Sequence, residues 1–259
     1  MIYFISDVHL GVLPRPEDSP REEILLAFLD KIAPDCKKLY ILGDLFDYWF
    51  EYKSVIPKYF YRTLTKIKEL KDRNIEIEYL MGNHDFGHVD FFRNEFAIEI
   101  HKDDIIREHD GKKFYLSHGD GKSNKDNGYK ILKKILRNPI SLSIFLKFHP
   151  DCGISVASST SKKSRSYTDA KNYGKTEGME EFAESQINNH AMDFVIMGHR
   201  HLAVVNEYDK GTYINLGEWI RQPHYAVWDG NKMTLNHVLD FLKVETKNDW
   251  LPENKSYSC

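Results

Sequence analysis

The sequence predicts an α/β fold in which helices cover the faces of a sheet. Five short segments rich in Ile, Leu, Val, Tyr and Phe have the composition of buried strands, and helical patterns lie between several of them. Such alternation along a chain is typical of this fold class. The 259 residues, 41% hydrophobic and 29% charged, suffice for one large soluble domain or for one domain with an insertion.

The strands are predicted where short apolar runs end in polar residues. The five runs are "IYFI" (2–5), "LYIL" (39–42), "IEIEYL" (75–80), "KFYL" (113–116) and "DFVIM" (193–197). Nearer the C-terminus, "TYINLGEW", "HYAVWDG" and "KMTLNHV" are predicted as further strands joined by turns, and "KNDWLPENKSYSC" as a loose tail.

Three segments between or before the strands have helical patterns. "SPREEILLAFLDKIA" is predicted to begin with Ser19 as the N-cap, Pro20 in the first helical position and Glu22 completing a capping box. "PKYFYRTLTKIKELKDRN" has apolar residues spaced three to four apart, and "EGMEEFAESQINNHAM" precedes the fifth strand.

Composition argues against a membrane-spanning or disulfide-linked protein. No apolar run is long enough to span a bilayer. The opening "MIYFISDVHL" lacks the basic region of a signal peptide and is interrupted by Asp7. The three cysteines, Cys36, Cys152 and Cys259, are far apart and odd in number, which suggests neither a disulfide framework nor a thiolate metal site and fits a reducing cytoplasm.

Charge is unevenly distributed along the chain. Residues 121–175 hold 12 Lys and Arg against three Asp and Glu, whereas the rest of the chain has a net charge of −12. The same segment contains the apolar stretch "ISLSIFLKF". This combination suggests contact with an anionic and apolar partner, with a solvated helix face over a small satellite core as the alternative.

All five buried segments run directly into polar residues that bind metals or phosphates in proteins. They end in "SDVH", "GDLFD", "GNHD", "SHGD" and "GHRH". Ligands of open α/β sheets bind at the carboxyl edge of the strands. Five such endings in one chain therefore predict a site at that edge.

The residue types at these endings suit divalent ions such as Mn, Fe, Zn or Co. In an extended backbone, Asp7 and His9 would point the same way and share one ion, and His199 and His201 repeat that spacing. Asp44 could bridge two ions through its two oxygens. Two ions roughly 4 Å apart can activate water and hold phosphate oxygens during in-line displacement.

This pattern resembles the calcineurin-like metallophosphoesterase superfamily. The superfamily motifs D-x-H, GDxxD, GNHD, a lone His and GHxH are met in order by Asp7/His9, Asp44/Asp47, Asn83/His84/Asp85, His118 and His199/His201. The resemblance implies a four-layer αββα sandwich with a helical cap insertion. It places the catalytic domain at 1–120 and 176–243, the cap at 121–175 and a tail at 244–259.

The resemblance also implies a role for each motif residue. One ion would be held by Asp7, His9, Asp44 and His201, and the other by Asp44, Asn83, His118 and His199. His84 would be the catalytic residue: it would face the phosphate, stabilise its charge and protonate the leaving group. Asn83 and His199 would also contact the substrate. Asp47 and Asp85 would orient neighbouring groups.

The segment from "HGDGKSNKDNGYK" to "SSTSKKSR" resembles the UDP-2,3-diacylglucosamine pyrophosphohydrolase branch of that superfamily. By matching position, Asp126, Ser161 and Arg165 would contact the substrate. Two residues depart from that branch: its best-known members have Arg where His84 stands and Thr where Arg200 stands. For "SSTSKKSR" a flexible basic loop, and for "ISLSIFLKF" simple packing within the cap, remain alternatives to substrate contact.

The branch implies hydrolysis of UDP-2,3-diacylglucosamine to UMP and 2,3-diacylglucosamine 1-phosphate in lipid A biosynthesis. It implies two divalent ions, with Mn²⁺ expected, and an acylated UDP-sugar as substrate. The location would be cytoplasmic, at an anionic surface on the inner face of the cytoplasmic membrane. Neither nucleic acid nor an obligate protein partner is expected. The alternatives are another phosphodiester, nucleotide or phosphoprotein substrate, or a non-catalytic scaffold that has kept the fold.

Overall fold

The computed structural model describes residues 1–122, 135, 137–156 and 178–244, and two β-sheets form its centre. The strands are β1 (Ile2–Ile5), β2 (Lys38–Ile41), β3 (Glu76–Leu80), β4 (Glu99–His101), β5 (Ile105–His109), β6 (Lys112–Leu116), β7 (Phe194–Met197), β8 (Ala203–Tyr208), β9 (Gly211–Leu216), β10 (His224–Trp228) and β11 (Met233–His237). The first sheet has the order β11-β10-β1-β2-β3-β4 and the second the order β5-β6-β7-β9-β8.

Parallel pairing aligns the strand ends that precede the motifs. β1, β2, β3 and β4 are parallel neighbours, and β6 is parallel to β7, which is parallel to β9. β10 returns antiparallel to β1, with Phe4 opposite Ala226. The carboxyl ends of β1, β2 and β3 in one sheet and of β6 and β7 in the other therefore carry all five motifs.

Helices cover the outer faces of both sheets. They are α1 (Arg15–Ile32), α2 (Tyr61–Asp72), α3 (Phe91–Phe96), α4 (Pro139–Phe145), α5 (Met179–His190) and α6 (Val238–Leu242), with a 3₁₀ turn at Lys58–Phe60. Apolar residues of α1 and α2 pack on one face of the first sheet, and α5 packs on the second sheet.

A third apolar cluster lies between the two sheets, where Phe4 and Leu42 meet Phe114 and Ile196. Because β1 is buried on both faces, its sequence is an uninterrupted apolar run rather than an alternating one. The layers are thus helix, sheet, sheet and helix, which confirms the expected αββα sandwich.

The predicted start of α1 is wrong by five residues, since Pro20 was expected in the first helical position. The helix begins at Arg15, and Pro16 occupies its first turn, where a missing N–H costs nothing. Pro20 lies inside the helix and Ser19 does not cap it. Glu22 is buried and accepts a hydrogen bond from the Thr63 hydroxyl at 3.0 Å, so it ties α1 to α2 rather than closing a capping box.

Three strands were missed because they lie at sheet edges and lack a continuous apolar run. β4 has only three residues, and β5 alternates between half-buried and exposed positions. β8 is also half-exposed. Edge strands face solvent on one side, so their composition resembles that of loops.

The described part of residues 121–175 shows how its apolar stretch packs. Leu142, Phe145 and Leu146 pack against the apolar core between α1, α2 and the first sheet, and the centre of the Phe145 ring lies 4.6 Å from that of Phe50. Ile140 and Ile144 point outward, 71% and 55% exposed. The stretch therefore has one docked face and one exposed face. No described helix is long and apolar enough to cross a membrane.

Candidate metal centre

Backbone hydrogen bonds between the strand-end loops bring the motifs together. Asp7 N–H donates to Gly43 O at 3.1 Å, and His9 N–H donates to Asp44 O at 3.0 Å. Gly198 N–H donates to His118 O at 3.0 Å, which joins the two motif loops of the second sheet. These bonds join four of the five motifs in pairs, and the site is formed by tertiary contacts.

Five candidate ligand residues have a left-handed backbone. The φ angles are 52° at Asp7, 51° at His9, 53° at Asp44, 68° at His199 and 57° at His201. Non-glycine residues rarely adopt this conformation, which clusters at functional sites. The prediction that Asp7 and His9 share a direction because the backbone is extended is wrong. They converge because each lies in a left-handed turn after the strand has ended.

Two motif glycines make room for carboxylates. A Cβ on Gly82 would lie 2.0 Å from Asp44 Oδ1. A Cβ on Gly198 would lie 2.1 Å from Asp7 Oδ2. Any side chain at either position would therefore displace a candidate ligand.

The first group of converging donors comprises Asp7, His9 and His201. The Nε2 atoms of His9 and His201 face each other at 3.1 Å. Asp7 Oδ1 lies 3.3 Å from His201 Nε2 and 3.6 Å from His9 Nε2. All three donor atoms lie within 4.8 Å of one another, as required for ligands of one ion.

The second group gathers around Asp44 and His118. Asp44 Oδ2 lies 3.2 Å from His118 Nε2, which is 2.9 Å from Asn83 Oδ1. The ring of His199 is centred 5.2 Å from that of His118. Asp44 Oδ2 also lies 3.8 Å from His9 Nε2, so this one oxygen stands between the two groups.

The expected use of both Asp44 oxygens differs from the geometry found. Asp44 Oδ1 accepts a hydrogen bond from the His84 backbone N–H at 2.8 Å. That bond fixes the carboxylate, and Oδ2 is the atom directed at both donor groups. A shared ligand at this position would bridge through a single oxygen.

Two features show that the donor set fits divalent cations. Asp7 Oδ1 and Asp44 Oδ2 are buried, and neither accepts a hydrogen bond from any described residue. A buried carboxylate oxygen without a partner is costly unless a cation is near. His9 and His118 each direct Nε2 inward, while Nδ1 is held by Asp47 at 3.2 Å and by Leu42 O at 2.8 Å. Metal-binding histidines are oriented in this way.

The carboxylates and imidazoles perturb one another strongly. Burial alone would lower the pKa of His9 and of His118. The carboxylates of Asp47 and Asp7 raise the pKa of His9 to about 10, and Asp44 raises that of His118 to about 10. Burial and the nearby His118 lower the pKa of His199 to about 4. An imidazole must lose its proton to bind a metal, so a cation held by His9 and His118 would displace their protons.

The pKa values of the two carboxylates, Asp7 and Asp44, are lowered by neighbouring imidazoles. Burial alone would raise the pKa of Asp7, but the imidazoles of His201 and His9 hold it well below its usual value. Asp44 is likewise held below its usual pKa against burial, mainly by His118 and His84. Both carboxylates are therefore ionised and available to a cation.

A comparison with protein-family models identifies the class of this site. The model described as calcineurin-like phosphoesterase matches residues 1–203, well over half of the chain. The chain belongs to the calcineurin-like phosphoesterase family. It is accordingly a hydrolase, and the donor groups described above are candidate ligands for divalent metal ions.

Several relatives of this phosphoesterase are named UDP-2,3-diacylglucosamine hydrolase. The relative from Porphyromonas gingivalis is 35% identical over 260 residues, covering 92% of this chain and 98% of its own. That from Haemophilus influenzae is 28% identical, covering 84% and 90%. That from Pseudomonas fluorescens is 29% identical, covering 91% and 94%.

His84 lies at the edge of the phosphoesterase centre. Its ring stands edge-on to that of His9 with centroids 4.8 Å apart, and its Nδ1 is 3.5 Å from Asp47 Oδ1. It also forms a group with His9 and Asp44 whose donor atoms lie within 4.8 Å of one another. The side chain is 9% exposed, so it can reach the space outside the metal ligands.

Asp47 and Asp85 are buried and contact residues of the motif loops. Asp47 contacts both His9 and His84. Asp85 accepts hydrogen bonds from Gly82 N–H at 2.8 Å and from Leu45 N–H at 3.0 Å. Asp85 thereby joins the GNHD loop to the GDLFD loop, which is a structural role.

Sequence reasoning missed several polar residues that support these loops. Asp18 accepts from Gly11 N–H at 2.6 Å, and its partner Arg21 reaches the His9 carbonyl at 3.4 Å. Buried Asn215 donates to Gly198 O at 2.7 Å. Two features of the sequence could have indicated them. Asp18 and Arg21 lie three residues apart on the apolar side of α1. Asn215 lies within an otherwise apolar strand, β9.

Glu51 is a further missed residue, just after the GDLFD motif. Its Oε2 accepts hydrogen bonds from the backbone N–H groups of Val89, Asp90 and Phe91 at 2.9, 2.7 and 2.9 Å. Its Oε1 accepts from the Trp49 indole at 2.9 Å. Glu51 thereby fixes the segment that follows GNHD.

The predicted substrate contacts from the cap lie outside the described residues. These are Asp126, Ser161 and Arg165, and the same holds for the expected tail beyond residue 244. Among residues 1–122, 135, 137–156 and 178–244, the structure brings together all seven predicted metal ligands and His84.

Proposed function

We propose that this phosphoesterase hydrolyses the diphosphate bond of UDP-2,3-diacylglucosamine, releasing UMP and 2,3-diacylglucosamine 1-phosphate in lipid A biosynthesis. The observation that carries this proposal is the pair of donor groups sharing Asp44 Oδ2. The printed names of relatives aligned over most of this chain support the choice of substrate.

Each donor group is assigned one divalent ion. One takes Asp7, His9, Asp44 and His201; the other takes Asp44, Asn83, His118 and His199. We assign Mn²⁺, since oxygen and imidazole donors without thiolate suit a metal of this kind. Bound ions would supply an activated water and neutralise charge on the phosphate.

His84 is the proposed catalytic residue. Asp47 lies 3.5 Å from its Nδ1 and can hold the ring with Nε2 directed away. From the edge of the centre, a protonated imidazole can stabilise phosphate charge and donate its proton to the departing oxygen. Asn83 and His199 are assigned to substrate as well as to metal.

The cap, residues 121–175, is assigned to substrate and membrane recognition, and residues 1–120 with 176–243 to catalysis. A cavity of about 360 Å³ lies between the loop at 11–14, Tyr48 and Tyr59 on one side and Asp151, Ile154 and Ser155 of the cap on the other. Pockets of this size hold small ligands or parts of larger ones. It is a candidate site for part of an acyl chain.

The outer face of the cap supports peripheral contact with the inner face of the cytoplasmic membrane. Ile140 and Ile144 are exposed one turn apart, and Phe148 is 60% exposed beside the exposed Lys147. Exposed apolar side chains with neighbouring basic residues are typical of surfaces that lie on anionic lipid. The surplus of positive charge in 121–175 acts in the same direction.

The test is UMP release by the Mn²⁺-loaded protein. The diacylated UDP-sugar is compared with its deacylated analogue, and bis(p-nitrophenyl) phosphate serves as a generic diester. We expect kcat/KM to be highest for the diacylated substrate by a wide margin. Equal kcat/KM for acylated and deacylated substrates would refute the proposed specificity. Turnover of the diester but not of the UDP-sugar would refute the proposed substrate while leaving the phosphoesterase activity of the family.

A further inference from the structure

A largely buried arginine of the cap contacts two loops of the metal centre. Arg137 Nη2 donates a hydrogen bond to Gly82 O at 2.7 Å and lies 3.2 Å from Asp120 Oδ2. The Arg137 side chain is only 18% exposed and that of Asp120 only 4%. Lys130, Lys133, Lys134 and Arg137 are three to four residues apart, so the sequence alone predicts that a helix would gather them on one basic face toward anionic lipid. That prediction is wrong for Arg137, whose guanidinium contacts these two loops. The three lysines lie outside the described residues.

The two groups that Arg137 contacts belong to different sheets. Gly82 follows β3 of the first sheet, and Asp120 follows β6 of the second. Gly82 directly precedes Asn83, and Asp120 lies two residues after His118. Arg137 thus spans the same two loops that supply the Asn83–His118 pair, whose side chains meet at 2.9 Å.

We propose that Arg137 is a positioning residue for the half of the metal centre formed by Asn83 and His118. It fixes the spacing of their loops and links that half of the centre to the docked cap. The effect on turnover rests on the proposed function, whereas the effect on metal affinity does not.

The chemistry of the guanidinium suits this task. A planar fork with several N–H groups can bind a carbonyl and a carboxylate at once, whereas a lysine ammonium acts as a single point charge. The positive charge also lies against a buried carboxylate close to His118, where charge compensation matters most. Both contacts are to protein groups, which separates this role from one in binding the substrate.

The first test measures Mn²⁺ binding to the full-length protein by calorimetry, after removal of metal. Arg137→Met keeps the length of the side chain but removes its charge and donors. By analogy with partners that orient metal ligands, it should weaken one of two Mn²⁺ sites about 10-fold or more. Arg137→Lys should restore part of that loss. Lys147→Met, an exposed cation of the same segment, is the matched control and should bind as wild type does.

The second test separates positioning from substrate binding. At a Mn²⁺ concentration below saturation, Arg137→Met should lower kcat for both the diacylated UDP-sugar and bis(p-nitrophenyl) phosphate. The KM for each substrate should change less than about two-fold. An unaltered Mn²⁺ isotherm together with a raised KM for the UDP-sugar alone would overturn the inference in favour of a substrate contact.

Folding and function are controlled separately. If Arg137→Met folds poorly, Asp120→Asn replaces it as the test variant. It leaves Arg137 in place, and we expect Mn²⁺ affinity to fall only at the same site. Wild-type Mn²⁺ binding in Asp120→Asn and Arg137→Lys would then overturn the inference. If wild-type protein does not cleave the UDP-sugar but Arg137→Met still loses one Mn²⁺ site, the proposed function fails and the role of Arg137 stands.

Discussion

Glu51→Gln should destabilise the protein by an amount that depends on pH. Burial alone would raise the pKa of Glu51, but the His88 imidazole, whose Nδ1 lies 3.6 Å from Oε1, and hydrogen bonds from the Phe91 N–H and the Trp49 indole lower it to about 2. Relative to the ordinary value of 4.5, this favours the ionised form by about 2 kcal/mol after allowance for solvent screening. Glutamine offers one acceptor oxygen and places an NH₂ group against N–H donors, so that stabilisation is lost.

The sign of the pH dependence follows from the lowered pKa. The ionised carboxylate stabilises the folded state fully above the unfolded pKa of about 4.5, and this contribution disappears as pH falls towards 2. The difference in unfolding free energy between wild type and Glu51→Gln should therefore be about 2 kcal/mol at pH 7 and should narrow below pH 5.

Urea denaturation at a series of pH values from 7.5 to 3.5 measures that difference. Chelator is present throughout, so that loss of metal does not add its own pH dependence. Glu95→Gln is the matched control, because Glu95 is exposed in the adjacent α3. Equal stability at pH 7, or a difference that stays constant down to pH 3.5, would refute the assignment of this stabilisation to the ionised carboxylate.

Three further outcomes are expected. Asp44→Asn should nearly abolish turnover, since one oxygen faces both donor groups; near-normal kcat with two bound metals would contradict the shared ligand. His84→Ala should lower kcat by about 100-fold or more while both metals remain, because its role lies in the transition state; loss of metal, measured by elemental analysis, would make His84 a ligand instead. Ile144→Asp, on the exposed face of α4, should reduce co-sedimentation with anionic vesicles, and binding of the wild-type protein should fall as the salt concentration rises. Vesicle binding that changes neither with the substitution nor with salt would contradict the proposed membrane contact.

The position of the site was predictable because its residues follow buried strands directly. Asp7, Asp44, Asn83, His118 and His199 all lie within three residues of a strand end. Parallel pairing then brings those ends to common edges, and the family motifs assigned the ligands. A pattern confined to strand ends suffices to locate a site of this kind.

The geometry at each ligand could not be inferred from local sequence. The left-handed backbone of Asp7 and His9 is maintained by hydrogen bonds to Gly43 and Asp44, some 35 residues away. Arg21 and Asn215 support the loops from elements that no motif includes. Such contacts depend on the packed fold, so hydrophobic periodicity and secondary-structure propensity do not predict them.

The start of α1 shows how a strong local signal can be misleading. Ser19, Pro20 and Glu22 satisfy the pattern of a helix start, yet the helix begins at Arg15. In the added turn, Asp18 accepts a hydrogen bond from Gly11 in the loop after His9, and further along the helix Glu22 accepts one from Thr63. A tertiary hydrogen bond thus uses the glutamate that a capping box would have used.

The closing strands set a lower limit on any expression fragment. Residues 1–203 contain every candidate metal ligand, but β10 covers the open edge of β1 and β9 covers that of β7. Trp219 N–H also donates to the Asp7 carbonyl at 3.0 Å. A fragment ending at 203 would expose the edges of the apolar strands β1 and β7 to neighbouring copies and would be expected to aggregate before it could bind metal. The minimal foldable unit must therefore extend through β10, some 25 residues beyond the last ligand.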